Sequence, residues 1–356
     1  MKNSKKLISL GLSLAFASSM ILSGCGVANK TLESSSTSGT TGSSASSASS
    51  TTTSGSAEYV AKLGHSQVTA SPVHEGALYF ADLVAEQTNG RVAIDVYPAA
   101  QLGAERDLVE GAGMGTVEMG LSVASVCAQF QPGVDAMCLP FLFETKADVY
   151  SVLDGEVGQT IFSAMEDSNT TVLTCFENGF RQLGSNREIN SIDDLHGLKL
   201  RAPEGDIYVQ TWSSLGVNVT ATPWNETFTA LQTGVVDGEE APLAIAESAG
   251  FGEVINYFAY INYMYDPLVL YVSSDWLASL PEDLQAAVKE AAVEAADYQR
   301  ELVTEQETKA EEKMSSEWGV VFTHPDLAPF QEAVQGVYGT YKYQDNLNLI
   351  LAALGR

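Results

Sequence analysis

The sequence predicts an α/β protein with two Rossmann-like domains, a ligand cleft between them and a long helix that bridges both. Three observations indicate this fold. Residues 191–242 read as strand, helix, strand, helix and strand, the βαβαβ order of a parallel sheet. Residues 115–120 (GTVEMG) echo residues 234–238 (GVVDG), so a similar half is expected before this unit. A helical pattern from residue 282 to Trp318 would span on the order of 55 Å, longer than one small domain.

The first half alternates strands and helices. Ser71 is placed to cap a helix that has Pro72 in its first turn and ends at Gly90. The apolar residues of this helix recur on one face, as in a helix that packs on a core. They are Val73, Ala77, Phe80, Ala81 and Val84. The other predicted elements are strands over 59–63, 91–97 and 117–121 and a helix over 105–113.

The βαβαβ unit places an arginine at the end of a strand. Residues 198–202 alternate apolar and basic side chains, the period of a strand with one buried face, so Lys199 and Arg201 are expected on the same side. Arg201 lies directly before Pro203, which stops the strand, and ligands of open α/β sheets bind at this carboxyl end. The remaining predicted elements are a helix over 206–215, a strand over 217–220, a helix over 226–233 capped by Asn225, and a strand over 235–237.

The long helix has a predicted start and one alternative. Residues 279–282 (SLPE) fit a capping box at its N-terminus. Its apolar stripe becomes charged beyond Leu302 while the helical propensity persists, so two helices broken near Gln306 are the alternative. The stripe consists of Leu284, Val288, Ala291, Ala295, Tyr298 and Leu302. A final helical run over 329–354 is expected to pack back on the second domain.

The N-terminus has the pattern of an export signal. Three lysines precede an apolar run over 7–22, which is shorter than the ~20 residues that span a bilayer. Residues 22–25 (LSGC) resemble a lipobox, in which Cys25 is lipidated and becomes the mature N-terminus; the alternative is an ordinary signal peptide. Residues 26–56 are almost wholly Ser, Thr, Gly and Ala, so they predict a disordered tether. We therefore expect a lipid-anchored protein on the outer face of the cell membrane.

The charge balance is strongly acidic. Without the three lysines of the signal, the chain keeps 15 basic residues against 45 acidic ones, a net charge of −30. Such a surface repels nucleic acid and anionic lipid, so neither is an expected partner. No Lys or Arg occurs over 202–288. Because cations are scarce, the three arginines Arg181, Arg187 and Arg201, which lie within 21 positions of one another, stand out.

No pattern in the sequence favours an enzyme, a metal or a cofactor. The four histidines lack a zinc-ligand spacing, and no nucleophile elbow, phosphate-binding loop or dinucleotide fingerprint occurs at a strand-to-helix turn. Glu239 and Glu240 are adjacent, but chance pairs are expected among 45 acidic residues. Cys127 and Cys138 are compatible with a disulfide or with buried free thiols, and no C-x-x-C motif occurs. A secreted enzyme is therefore the less favoured alternative.

Four motifs carry a resemblance to a known family. They are NGFRQ at 178–182, SNR at 185–187, DLHGLKLRAP at 194–203 and ExxxALQxGVVDG at 226–238. On these motifs the chain resembles, over roughly 58–329, the substrate-binding proteins of TRAP transporters (DctP type). The resemblance implies a fold similar to that of type II periplasmic binding proteins. It also implies an extracytoplasmic receptor, expected to be a monomer, that delivers an organic acid to a membrane permease.

The resemblance and the residue patterns together predict the domain boundaries. The signal peptide is expected over 1–25 and the tether over 26–56. The first domain is expected over 57–178 plus about 267–305, and the second over 179–266 plus about 306–356. A receptor of the same shape that serves a signalling partner is the alternative function.

The resemblance also implies roles for individual residues. Arg201 occupies the position of the family's carboxylate-binding arginine and Arg181 that of a second ligand arginine; the planar guanidinium suits a carboxylate because it donates two parallel hydrogen bonds. Trp224 matches an aromatic position that lines the pocket, and Glu204 is a candidate acceptor for a ligand hydroxyl. A salt bridge for Arg201, core packing for Trp224 and solvation for Glu204 are the alternatives. Arg187 is expected to be structural.

Two departures from the family pattern bear on the ligand. Residues 238–242 read GEEAP where family members often have GQENP, so Ala241 lacks the amide that binds the ligand. Val123 and Val126 stand where the sialic-acid-binding branch carries a Glu and an Arg, which disfavours sialic acid. We expect a hydroxylated monocarboxylate such as a sugar acid in preference to a C4 dicarboxylate.

Overall fold

The structure, a computed structural model, describes residues 57–356 and contains two sheets. In the first sheet the strand order is β2-β1-β3-β10-β4. Its strands are β1 (Tyr59–Gly64), β2 (Val92–Tyr97), β3 (Met119–Val123), β4 (Thr170–Phe176) and β10 (Leu268–Ser273). The strands β1, β2 and β3 are parallel, whereas β10 runs antiparallel to both of its neighbours.

The second sheet has the order β11-β9-β5-β8-β6-β7. Its strands are β5 (Arg181–Ser185), β6 (Lys199–Ala202), β7 (Asn218–Ala221), β8 (Gly238–Pro242), β9 (Tyr257–Ala259) and β11 (Val321–Thr323). Strand β6 is parallel to β7 and β8, as the βαβαβ pattern predicts, and β5 is antiparallel to β8 and β9. The two-sheet α/β architecture confirms the predicted fold class, although both sheets are mixed.

Helices flank both sheets. They are α1 (Pro72–Gln87), α2 (Glu105–Met114), α3 (Ala124–Cys127), α4 (Lys146–Leu153), α5 (Glu156–Ser163), α6 (Asp206–Ser214), α7 (Thr227–Gln232), α8 (Leu243–Ser248), α9 (Ser274–Ser279), α10 (Glu282–Trp318), α11 (Ala328–Ala333), α12 (Gln335–Thr340) and α13 (Gln344–Ala353). Short 3₁₀ turns lie at 134–138, 164–168, 192–195, 224–226 and 251–253. Within 57–356, none of these helices is both long enough and apolar enough to cross a bilayer.

Helix α1 forms as the sequence predicts. Ser71 Oγ accepts a hydrogen bond from Val73 N at 3.2 Å, and Pro72 opens the first turn, where its missing N–H would have had no partner anyway. The predicted apolar face is buried in the core of the first sheet. Its side chains are Val73, Ala77, Phe80, Ala81 and Val84.

The start of β8 differs from the prediction. We expected a strand over 235–237, but none of these residues is in β8. The amides of Val235 and Val236 both donate to the carbonyl of Ala230 in α7, and Gly234 adopts a left-handed conformation with φ of 70°. These residues therefore terminate the helix, as helix C-caps commonly do. The strand begins only at Gly238.

Helix α10 is continuous over 37 residues, so the alternative of two helices is wrong. The predicted capping box is also wrong, because the helix starts at Glu282 after Pro281, and Ser279 Oγ donates to Trp276 O instead. The N-terminal half of α10 packs in the core of the first sheet, while Ala310 and Met314 pack in the core of the second. The helix thus bridges the two sheets.

The C-terminal run is only partly as predicted. Residues 329–354 are mostly helical, but α13 packs against the 3₁₀ turn 134–138 and against α4 and α5, which lie in sequence between β3 and β4 of the first sheet. Tyr341 Oη donates to Asp135 Oδ1 at 2.7 Å, and Arg356 pairs with Glu144 at 2.7 Å. The expectation that this run packs on the second domain is therefore wrong for α13.

The chain crosses between the sheets at 177–180, where α10 holds it. Gln299, fully buried on α10, accepts a hydrogen bond from Glu177 N at 2.7 Å and donates one to Glu177 O at 2.9 Å. A buried backbone amide and carbonyl need partners, and no strand supplies them at this crossing. The Gln299 amide therefore fixes the crossover to the bridging helix.

Replacing Gln299 with leucine should destabilise the protein by about 2–4 kcal/mol, because two buried backbone groups of Glu177 lose their partners. Urea denaturation measures this. The matched control is Gln331→Leu on the exposed face of α11, which should change stability by no more than about 0.5 kcal/mol. Equal denaturation midpoints for Gln299→Leu and wild type would show that the Gln299 hydrogen bonds do not stabilise the crossover.

Candidate functional site

A small cavity lies between the two sheets, at the edge where their parallel strands end. Its volume is about 30 Å³. Most of its lining residues lie at or shortly after the carboxyl ends of β1, β3, β6, β7 and β8. They are Gln67, Glu105, Val123, Val126, Asn178, Arg181, Arg201, Pro203, Glu204, Pro223, Trp224, Pro242 and Ile245. This central cavity is where ligands of such sheets bind.

Arg201 reaches the central cavity from the end of β6 and is 1% exposed. Its Nε and Nη2 donate to the carbonyl of Thr222 at 3.0 and 2.7 Å, and its guanidinium lies 5.5 Å from the ring centroid of Trp224. Its Nη1 is buried without a hydrogen-bond partner among the described residues. Burial lowers the pKa of Arg201, and the charge of Glu240 only partly offsets this. The site thus contains a buried cation with a free donor.

Arg181 is different because an acid neutralises it. Its Nε and Nη2 contact the two carboxylate oxygens of Glu240 at 2.5 and 3.0 Å, and Nη2 also donates to the Glu240 carbonyl at 2.7 Å. Burial disfavours its charge, but the Glu240 carboxylate outweighs this effect and raises the pKa of Arg181. Tyr263 Oη donates to the same carboxylate at 2.5 Å. Arg181 therefore lines the cavity with most of its donors already used.

The wall that faces the arginines carries acceptors. Gln67 is 5% exposed, and its Oε1 is buried without a hydrogen-bond partner among residues 57–356. Glu105 accepts hydrogen bonds from Ser66 Oγ at 2.7 Å and from Val123 N at 3.0 Å, and burial raises its pKa. The cavity thus has donors on one side and acceptors on the other.

The structure brings four of the five predicted ligand residues together. Arg201, Arg181, Trp224 and Glu204 all line the central cavity, and so do Val123 and Val126 from the first sheet. Ala241 does not line it. Its side chain packs in the apolar core of the second sheet, while the neighbouring Pro242 reaches the cavity.

Sequence reasoning missed Gln67, Glu105 and Asn178. The rule that identified Arg201 could have found the first two, because Gln67 follows β1 and Glu105 follows β2 at the same edge of the first sheet. Asn178 lies in the crossover and donates to Asp266 O at 3.1 Å. Asp266 is distant in the chain, so no local sequence pattern predicts this contact.

Arg187 and the cysteines lie away from the cavity lining. Arg187 Nη2 donates to His196 O at 3.0 Å, which agrees with a structural role. Cys127, Cys138 and Cys175 are buried free thiols, so a Cys127–Cys138 disulfide is not formed; Cys25 lies outside the described residues. Over residues 57–356, no group of three or more His, Cys, Asp or Glu side chains is arranged to hold a metal ion.

Glu239 and Glu240 lie on opposite faces of β8 and have different environments. Glu240 pairs with Arg181, whereas the carboxylate of Glu239 is buried without a hydrogen-bond partner among the described residues. One of its oxygens lies near Gly184, next to Phe258 and Ile255. Burial and the charge of Glu240 raise the pKa of Glu239 to about 8. Glu239 is therefore protonated in the folded protein at neutral pH.

This pKa predicts a pH-dependent stability. Folding takes up a proton on Glu239 between its ordinary pKa of 4.5 and the folded value of about 8, so the free energy of unfolding should fall as pH rises through this window. Glu239→Gln, which cannot ionise, should remove this component. Urea denaturation from pH 5 to 9 should show that the free energy of unfolding of the variant, relative to that of wild type, increases as pH rises. Parallel curves for the two proteins would contradict the assignment.

Comparison with known proteins places the chain among solute-binding proteins. The family described as "Bacterial extracellular solute-binding protein, family 7" (DctP) matches residues 63–344. The solute-binding protein RD1_1052 of Roseobacter denitrificans is 34% identical over 279 residues, which cover 78% of this chain and 85% of that protein.

Two crystal structures are similar to the whole described fold. A TRAP periplasmic solute-binding protein of Xanthobacter autotrophicus, with bound β-D-galacturonate, has a TM-score of 0.79 and 29% identity and covers 82% of this chain and 99% of that one. The structure of RD1_1052 with bound L-galactonate has a TM-score of 0.79 and 31% identity, with 84% and 99% coverage.

Proposed function

The chain belongs to the DctP family of bacterial extracellular solute-binding proteins, and from this premise we propose that it captures a sugar acid for a TRAP transporter. In this role it binds a hydroxylated organic acid outside the cytoplasm and delivers it to the membrane subunits of the permease. Its task is binding and release, without turnover of the ligand.

The observation that carries this proposal is the pair of unpartnered buried groups in the central cavity. Arg201 Nη1 is a cationic donor and Gln67 Oε1 is a neutral acceptor, and both lack a hydrogen-bond partner among the described residues. A buried polar group without a partner costs roughly 1–3 kcal/mol. A ligand with a carboxylate for Arg201 and a hydroxyl for Gln67 removes both costs at once.

The charges of the cavity favour one carboxylate on the ligand. Arg181 is neutralised by Glu240, which leaves Arg201 as the cation without an ion-pair partner among the described lining residues. Glu105 and Glu204 would repel a second carboxylate, but each can accept a hydrogen bond from a hydroxyl. The galacturonate and galactonate in the crystal structures of similar proteins are ligands of this kind, which supports a sugar acid.

The size of the cavity implies that the cleft must open to admit such a ligand. About 30 Å³ holds only one or two water molecules. The crossovers at 177–180 and 260–267 and helix α10 connect the two sheets, so they are where hinge bending would occur. We take residues 57–178 plus about 267–305 as one moving part and 179–266 plus about 306–340 as the other. Helix α13 goes with the first part, because it packs on α4, α5 and the turn 134–138.

The remaining parts of the proposal concern location and assembly. Cys25 would carry the lipid that anchors the receptor to the outer face of the cell membrane, with residues 26–56 as the tether. The receptor would act as a monomer, because one chain supplies both walls of the central cavity.

Treatment of cells with a lipoprotein signal-peptidase inhibitor should cause accumulation of the unprocessed form if Cys25 is lipidated.

Arg201→Ala should abolish useful binding. Removing one partner of a buried charge pair costs roughly 2–5 kcal/mol, on the order of 30- to several-thousand-fold in affinity. Arg201→Lys should recover little, because a point charge does not reproduce the guanidinium geometry. Titration calorimetry with D-galacturonate measures the effect. Arg91→Ala, which removes surface ion pairs to Glu58 and Asp283, is the control and should bind normally. Wild-type affinity in Arg201→Ala would end the assignment.

A thermal-shift screen tests the ligand class. At a concentration of about 100 Kd, a bound ligand adds roughly 2.7 kcal/mol of stability, enough to raise Tm by several degrees. Uronates and aldonates should raise Tm, whereas succinate and malate should not, because Glu105 and Glu204 face the second carboxylate. Stabilisation by succinate with none by the sugar acids would reverse the choice of ligand while leaving the receptor function in place.

A further inference from the structure

The loop after β6 approaches the first sheet's elements very closely at the mouth of the central cavity. Gly205 is buried there against Ser125 of α3. A Cβ atom at Gly205 would lie 2.9 Å from Ser125 Cβ and 3.2 Å from Ser125 O. The φ of Gly205 is −152°, which any residue adopts, so it is the approach of Ser125 that requires glycine.

A second contact joins the same loop to the first sheet's side. Gln129 Nε2 donates to the carbonyl of Glu204, directly before Gly205. Arg106 on α2 in turn donates to Gln129 Oε1 at 2.7 Å, and its guanidinium lies 5.7 Å from the ring centroid of Phe130. The Gln129 side chain is therefore held in the orientation that reaches across the cleft.

These contacts hold the loop whose first residues line the same cavity as Arg201. Pro203 and Glu204, which belong to the loop that Gln129 and Ser125 touch, form part of the wall of the central cavity. Opening the cleft would separate α3 and Gln129 from this loop and break both contacts together.

We infer that Gly205 against Ser125, with Gln129 on the Glu204 carbonyl, forms a latch that is made only in the closed cleft and that slows release of the bound acid. This inference rests on the proposed function in one respect only, which is the choice of the ligand whose release is measured. Because it forms after the ligand has entered, it should affect dissociation and leave association nearly unchanged.

Gly205→Ser tests the latch without weakening helix α6. Serine is a favoured N-cap residue, and Gly205 holds the N-cap position of α6, but its Cβ cannot fit against Ser125 in the closed cleft. Dissociation of D-galacturonate, followed by stopped-flow tryptophan fluorescence, should become at least about 10-fold faster, a change of about 1.4 kcal/mol. Gln129→Ala should act in the same direction with a smaller effect.

The control is Gly336→Ser, on α12, where a Cβ atom meets nothing within 4 Å. It should release D-galacturonate at the wild-type rate. A wild-type dissociation rate in Gly205→Ser would overturn the latch, and so would a slower association that alone accounts for the loss of affinity.

A cross-link decides the question without reference to the ligand. In the double variant Ser125→Cys and Gly205→Cys, the two Cβ atoms lie close enough for a disulfide once the loop adjusts by about 1 Å. Oxidation should join these two residues, and peptide mapping separates this bond from pairing with Cys127, as does the single variant Gly205→Cys. Failure to cross-link, with and without D-galacturonate, would overturn the latch. If D-galacturonate does not bind wild type but the cross-link forms, only the choice of sugar acid fails.

Discussion

Arg201 carries a positive charge into the space between the two sheets, and no described carboxylate lies within ion-pair distance of it. A buried charge is costly unless it is paired and hydrogen-bonded. The protein compensates in part, with the Thr222 carbonyl on two of the guanidinium nitrogens and the Trp224 ring beside it. Both compensating groups follow β7, which pairs in register with β6. The strand pairing therefore positions the cation, and the missing counter-charge is what an anionic ligand supplies.

The neighbouring Arg181 shows what Arg201 would be with an acidic partner. Both side chains are almost fully buried and both line the central cavity, but Arg181 forms an ion pair with Glu240 of the adjacent strand β8. This pair contributes geometry and no net charge, so it can shape the cavity without attracting a second anion. One free cation among acidic and neutral walls is a simple way to select ligands with a single carboxylate in a chain of net charge −27.

Local patterns in the sequence predicted the parts of this arrangement that depend on neighbours in the chain. The strand that carries Arg201, the cap at Ser71 and the length of α10 all depend on residues close together in the chain, and the structure has them. The single buried face predicted for that strand is wrong, because Leu200, Arg201 and Ala202 are all buried. Gln67 and Glu105 follow β1 and β2, so the strand-end rule that identified Arg201 could also have found them; their position opposite Arg201, however, depends on the packing of one sheet against the other. The capping box at Ser279 and the strand start at Val235 failed for a different reason. In both places a second local motif, a Pro-led helix start and a glycine C-cap, competes for the same residues.

The position of the cavity also explains why its lining is drawn from such distant parts of the chain. The buried apolar side chains form three cores, and one of them contains residues of both sheets, such as Tyr271 of β10 and Leu200 of β6. Helix α10 contributes its N-terminal half to the core of the first sheet and Ala310 and Met314 to that of the second. The crossover at Glu177 is hydrogen-bonded to the middle of this helix by Gln299, so the two sheets are joined on this side. On the opposite side, polar and van der Waals contacts around Gly205 and Gln129 hold the loop over Arg201. Such contacts exchange readily with water, whereas the packing of α10 does not, because opening it would expose apolar side chains. Movement is therefore expected at the mouth of the cavity, where it would let an anionic ligand reach the buried guanidinium of Arg201.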